Sequence, residues 1–222
     1  MNRVLALMAT LSVAAFAVAD PIIFDNGAPG ATSTGYSSQL DAVYPFQSQV
    51  ADDFVLQAGA NVITDVHWWG VWWNPGPPGN ATAFRIIIYG DAGGKPTGGN
   101  PDPTPTALKV WTIPAAAAGE TPSGSFFSYA ADVSADPFIA TPGVQYWIAI
   151  QSVNTFPPQW GWVTNSAGAG NAHQGFPLLG TPYWTRLAPG TGGVGMAFYL
   201  TGIPEPASLL LIGLGALVLR RR

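Results

Sequence analysis

Cysteine is absent from all 222 residues. That excludes disulfides, thiolate metal sites and a thiol nucleophile. Histidine is nearly absent: His67 and His173 are the only two. A zinc site or a Ser-His-Asp triad therefore has little to draw on, and no G-x-S-x-G elbow occurs. Charge is scarce, at 9% Asp, Glu, Lys and Arg. Between Asp20 and Gly202 only Arg85, Lys95, Lys109 and Arg186 oppose eleven acids, a net charge of −7. This excludes the basic footprint that nucleic acid requires. Glu120 is the single Glu of that stretch and falls in a Gly/Pro-flanked loop. Asp52 and Asp53 are neighbours on an expected strand, so they face opposite ways. A glycosidase needs two carboxyl groups about 5 to 9 Å apart across one bond, and no strand face carries such a set. A secreted hydrolase is thus the least supported reading, and no enzyme activity is expected.

Helical periodicity is missing as well. Instead, short β-branched and aromatic runs alternate with turns drawn from 27 Gly and 21 Pro. Expected strands cover residues 21–24, 49–56, 62–73, 83–89, 108–113, 125–133, 144–153, 159–164, 183–187 and 194–201. Residues 30–38, 74–80 and 165–180 read as loops, and Ala115 to Ala118 suffice for one helical turn. Residues 62–73 hold four of the nine Trp. Strict alternation puts Val62, Thr64, Val66, Trp68, Gly70 and Trp72 on one face, and Ile63, Asp65, His67, Trp69, Val71 and Trp73 on the other. This predicts a central strand covered on both sides, or one with a bulge at Gly70. In 83–89, Phe84, Ile86 and Ile88 point inward; in 194–201, Val194, Met196, Phe198 and Leu200 do, with Tyr199 outward. The pattern predicts an all-β, antiparallel β-sandwich of jelly-roll type over residues 20–202, with a core large enough to dispense with disulfides.

Both ends carry a different kind of signal. Asn2-Arg3, an apolar run over 4–16 and the small-x-small site Ala17-Val18-Ala19 form a signal peptide over residues 1–19, with Asp20 as mature N-terminus. The alternative is an uncleaved anchor, against which the A-x-A site argues. Residues 203–222 read Ile203, then Pro204-Glu205-Pro206, then an uncharged run over 207–219, then Arg220-Arg221-Arg222. The prolines keep the tripeptide extended. As a helix the run reaches about 20 Å, and snorkelling arginines on the cytoplasmic side bring it closer to spanning a bilayer. Tripeptide, transmembrane helix and basic end, in that order, resemble the PEP-CTERM sorting signal. The resemblance implies an exported protein recognised by an exosortase that cuts near the tripeptide. It also implies a place at the cell surface or in an extracellular matrix, with exopolysaccharide as a partner and the membrane holding the helix before processing. A plain tail anchor with a proline-rich stalk is the competing reading. The body, through residues 49–56, 66–70 and 89–91, resembles uncharacterised exported bacterial proteins of the β-sandwich kind.

Aromatic residues give the body its one route to ligand chemistry. A pyranose CH face stacks on an indole, so a carbohydrate-binding, lectin-like module acting on exopolysaccharide is the alternative function. Trp160, Trp162 and Trp184 lie near expected edges, and Trp72 and Trp73 adjoin the Pro/Gly loop; core packing competes for all five. No cofactor is required. Asp25, Asp52, Asp53 and Asp132 fall at strand starts or ends and are the candidates for a structural Ca²⁺, with turn capping as the competing role.

Overall fold

In the computed structural model, residues 20–41, 43, 46–74, 81–100, 102–177 and 183–203 are described. The strands are β1 (Ile22–Asp25), β2 (Gly35–Ser37), β3 (Gln39–Asp41), β4 (Phe46–Gln47), β5 (Gln49–Val55), β6 (Val62–Trp73), β7 (Ala83–Gly90) and β8 (Lys109–Pro114). A single helical turn, α1 (Ala115–Ala118), separates them from β9 (Thr121–Ser123), β10 (Phe126–Asp132), β11 (Phe138–Ile139), β12 (Gln145–Val153), β13 (Gln159–Val163), β14 (His173–Gly175), β15 (Trp184–Arg186) and β16 (Phe198–Ile203).

These strands form two sheets. β6 is the spine of the first. One of its edges takes β16 and then β13; the other takes β11 and β10. β1 closes the side beyond β16, and β9 the side beyond β10. In the second sheet β12 lies between β5 and β7, with β8 outside β7 and β14–β15 outside β5. The sheets are antiparallel with one exception, the parallel pairing of β3 with the end of β12 at Ser152 and Val153.

One main core fills the space between the sheets. Val50 and Phe54 of β5, Phe84 and Ile86 of β7 and Ile148 of β12 meet Trp68 of β6, Trp160 and Trp162 of β13 and Phe198 of β16. Fully burying each such side chain contributes about 1.5 to 3 kcal/mol. Trp68 stacks on Tyr129 at 5.4 Å, and Phe84 meets the edges of Trp68 and Trp160 at 5.3 Å.

The spine departs from strict alternation at a place other than Gly70. Thr201 pairs with Asp65 and Gly202 with Ile63, so Thr64 is the extra residue of a bulge. The bulge turns Ile63 onto the core side with Val66 and Trp68. Gly70 stays in register opposite Phe127 and Trp162. It is glycine because the indole of Trp160 lies on it: a Cβ there would stand 2.4 Å from that ring. The outer side of β6 is also not covered as expected; His67, Trp69, Val71 and Trp73 are half-buried. Residues 30–38 and 165–180, read as loops, contain β2 and β14. Among the described residues no helix is long and apolar enough to cross a membrane. The apolar run at 207–219 lies outside them.

Candidate functional site

The tryptophans first considered for stacking are corrected by their burial. Trp160 and Trp162 are 0% exposed and Trp184 is 5% exposed. Their indole N–H groups are committed to Tyr129 Oη (3.2 Å), Ala197 O (3.0 Å) and Thr97 O (3.3 Å). Trp160 lies on Gly70, Trp162 packs in the main core and Trp184 in a second cluster with Tyr89 and Tyr183, while the ring of Trp73 lies over Gly161 and Gly35. Trp72 is half-buried, and its Nε1 donates to Glu120 Oε2 at 2.8 Å.

The acids are not brought together either. Asp25 accepts from Gly27 N and Asp132 from Ser134 N, each capping its own turn. Asp53 faces outward to Gln145 Nε2. Asp52 points into the sandwich at 1% exposure and clasps the two sheets. Its Oδ2 accepts from Asn26 Nδ2 (2.8 Å) and Met196 N (2.6 Å), while Oδ1 accepts from Asp53 N (3.0 Å). Burial pushes its pKa up to about 7 against those three donors. Among the described residues no group of three metal-ligating side chains forms.

His173 Nδ1 lies 2.7 Å from Asn171 O, with its ring at 90° to Trp147. His67 stacks on Tyr199, with centroids 4.1 Å apart and planes at 7°. Burial holds both histidines below their ordinary pKa, Asp65 partly opposing this at His67. Neither ring bonds to a serine hydroxyl among the described residues. Asp20 is exposed, and its Oδ2 accepts from Thr64 Oγ1 at 2.6 Å. Ala17, Ala19, Pro204, Glu205, Pro206, Arg220, Arg221 and Arg222 lie outside the described residues.

Two arrangements were not foreseen. The first is a chain of hydrogen bonds. Tyr129 Oη donates to Glu120 Oε2 at 2.6 Å, Trp72 Nε1 reaches the same oxygen, and Trp160 Nε1 donates to Tyr129. It borders a cleft of about 600 Å³ walled by Ala81, Phe84, Pro114 and Ala115. Its signal was absent from the sequence, because three distant segments build it: Trp72, Glu120 with Tyr129, and Trp160. The second is the outer face of the first sheet, where His67 and Trp69 of β6 stand beside Tyr199 of β16. The Trp69 and Tyr199 rings are 6.0 Å apart. Three clefts of about 370, 170 and 430 Å³ open along these rings. Alternation had put Tyr199 outward and His67 with Trp69 on one shared face of β6, a face expected to be covered, so only part of this signal was present.

Comparison with known families supplies what geometry alone does not. A family described as Domain of unknown function (DUF7901) matches residues 25–201, most of the chain. The chain belongs to this family. The PEP-CTERM protein-sorting motif matches residues 202–222. No curated protein and no solved structure matches. The DUF7901 body and the PEP-CTERM motif therefore meet within β16, the strand that pairs with β6 down to Ile203 and Val62.

Proposed function

We propose that this PEP-CTERM protein delivers a non-catalytic DUF7901 body to the outside of the cell. The motif itself supports exosortase-dependent sorting of an exported, envelope-associated protein. The finer statements are ours. The signal peptide is removed before Asp20, the apolar run holds the chain in the membrane until the exosortase cuts near Pro204-Glu205-Pro206, and the body then acts at the surface or in the matrix. Reading its two sheets as a jelly roll belongs to the same proposal.

The observation that carries this reading is the join. Gly202 and Ile203, the first residues of the matched motif, still pair with β6, so the motif begins on a strand held in the sheet. Among the described residues the core's last member is Leu200, upstream of a cut beyond Ile203. The non-catalytic part is supported by the committed side chains: Glu120 is tied to Trp72 and Tyr129, Asp52 to three donors, and His67 to Tyr199.

Intact-mass measurement on surface or secreted material tests the sorting. The expected species begins at Asp20 and lacks residues 207–222. Replacing Pro204-Glu205-Pro206 by alanines, or deleting Arg220, Arg221 and Arg222, leaves the body folded and blocks that maturation. A native mass that retains the apolar run and all three arginines makes the tail a plain anchor.

A further inference from the structure

We propose that the outer face of the first sheet is a binding platform for a neutral, extended glycan chain, centred on His67, Trp69 and Tyr199. This goes beyond sorting and does not depend on it. It also moves the site away from the buried Trp160, Trp162 and Trp184.

Pre-organisation is the first argument. Trp69 Nε1 donates to Ser123 Oγ at 3.3 Å, which fixes the indole by its edge. Tyr199 packs beside it and stacks on His67 at 4.1 Å. Rings held this way lose little freedom when a ligand arrives. Among the described residues no other element covers their outer surfaces, and all three residues are half-buried.

Shape is the second. His67 and Trp69 are two residues apart on one strand face, and Trp73 continues the row. At about 3.3 Å per residue the row from His67 to Trp73 runs roughly 20 Å. The three clefts adjoin one another at these side chains. Trp69 borders the first, all three rings the second, and His67 with Tyr199 the third. An extended ligand spanning several sugar units fits a series of adjoining clefts better than a compact one does.

Charge decides the chemistry. Asp65 and Asp20 line one end, while Thr121 and Ser128 border the middle. Hydroxyl-rich ligands supply the donors these oxygens accept, and the pyranose CH faces supply the apolar surface. Among the described residues the cations sit elsewhere: Arg85 and Lys109 on β7 and β8, Lys95 in the turn after β7, and Arg186 on β15. An anionic polysaccharide would meet only acids here, and so is disfavoured. Burial keeps His67 below its ordinary pKa, hence neutral near pH 7 and suited to a hydroxyl contact.

The test is affinity electrophoresis of the full chain in a zwitterionic detergent, through native gels containing hydroxyethylcellulose or alginate. The neutral β-glucan should retard the protein; the polyanion should not. Trp69→Ala should weaken retardation about tenfold or more, as loss of a central aromatic anchor does. Trp69→Phe should retain part of it, and circular dichroism should show both variants folded. Retardation accompanied by new reducing ends supports the site and removes the non-catalytic reading of the body. The proposal is overturned by no retardation in hydroxyethylcellulose, by equal retardation of folded Trp69→Ala, or by preference for alginate. Self-association that Trp69→Ala abolishes would also overturn it, making the face a contact between copies.

Discussion

Trp147 and Trp69 occupy comparable places, each facing outward from a central strand of its sheet, β12 and β6. Trp147 is sealed at 0% exposure by Tyr183, Trp184, Ala107 and its neighbours Ile87 and Tyr89, a second small core on the outside of the second sheet. Trp69 packs beside Tyr199 and donates to Ser123, and stays half-buried. The difference lies in what crosses over each sheet. Residues 97–100 and 102–107 lie over the outer side of the second sheet, with Tyr183 and Trp184 folded in from its β14–β15 edge. Most polar groups beneath them are paired, while Gln49 Nε2 and Tyr183 Oη are buried without a partner. Tyr89 Oη donates to Gln49 Oε1, Arg85 reaches Gln151 and Thr104, and Gln151 Nε2 donates to Ser48 O. Among the described residues nothing comparable crosses β6. An outward aromatic is therefore core on one side of this molecule and surface on the other, and its parity along the strand does not say which.

Substitutions can break that contrast. Trp147→Ala should cost most, about 3 to 5 kcal/mol of stability in urea unfolding, because it empties a closed site and removes the indole's hydrogen bond to Asp91 Oδ1 at 2.9 Å. A cost near zero would mean that the cover over the second sheet is not formed. Next comes Asp52, which ties the sheets together beneath both faces. Its folded pKa of about 7 lies above the ordinary 3.8. Between those values the folded carboxyl keeps a proton that the unfolded one has released. Stability should therefore fall as pH rises through this window, by at most roughly 4 kcal/mol. Melting temperatures from pH 4 to 8 check this, and Asp52→Asn should flatten the slope.

Gly70→Ala should cost about 1 to 3 kcal/mol, since the added methyl meets the Trp160 ring and must push β13 away. Trp69→Ala should cost least, under about 1 kcal/mol, as a substitution on an open face does. If Trp69→Ala destabilises the chain as much as Trp147→Ala, the two faces are alike and the platform is structural.

Much of this was readable beforehand, for identifiable reasons. The inward sets of β7 and β16 follow from uninterrupted alternation, and the central place of β6 from its length and four tryptophans. The short strands were not readable. β2, β3 and β14 consist of Gly, Tyr, Ser, Gln, Leu, Asp and His, and their polar members are satisfied only by distant partners. Gln39 Oε1 accepts from Trp160 N, and Gln174 Nε2 donates to Ser37 O. Such pairings span more than a hundred residues and leave no local pattern. The Thr64 bulge was hidden because threonine suits a strand, whereas Gly70 looked like a break and is a seat for an indole. Of the candidate site, parity gave the outward Tyr199 and the shared face of His67 and Trp69, but not that this face is open. It could not reveal that Trp160 and Trp162 are roofed.

The position of β16 has a mechanical consequence. It lies between β1 and β6, hydrogen-bonded along both sides, and the chain leaves it at Ile203, which is 52% exposed. A pull applied through that point acts along the strand axis, while the ladder bonds lie across it. The load is then shared by many bonds in shear and does not open them one at a time like a zipper. A body tethered or handled by its C-terminal end is gripped at its most resistant strand, and tension on the tail is carried by the sheet as a whole.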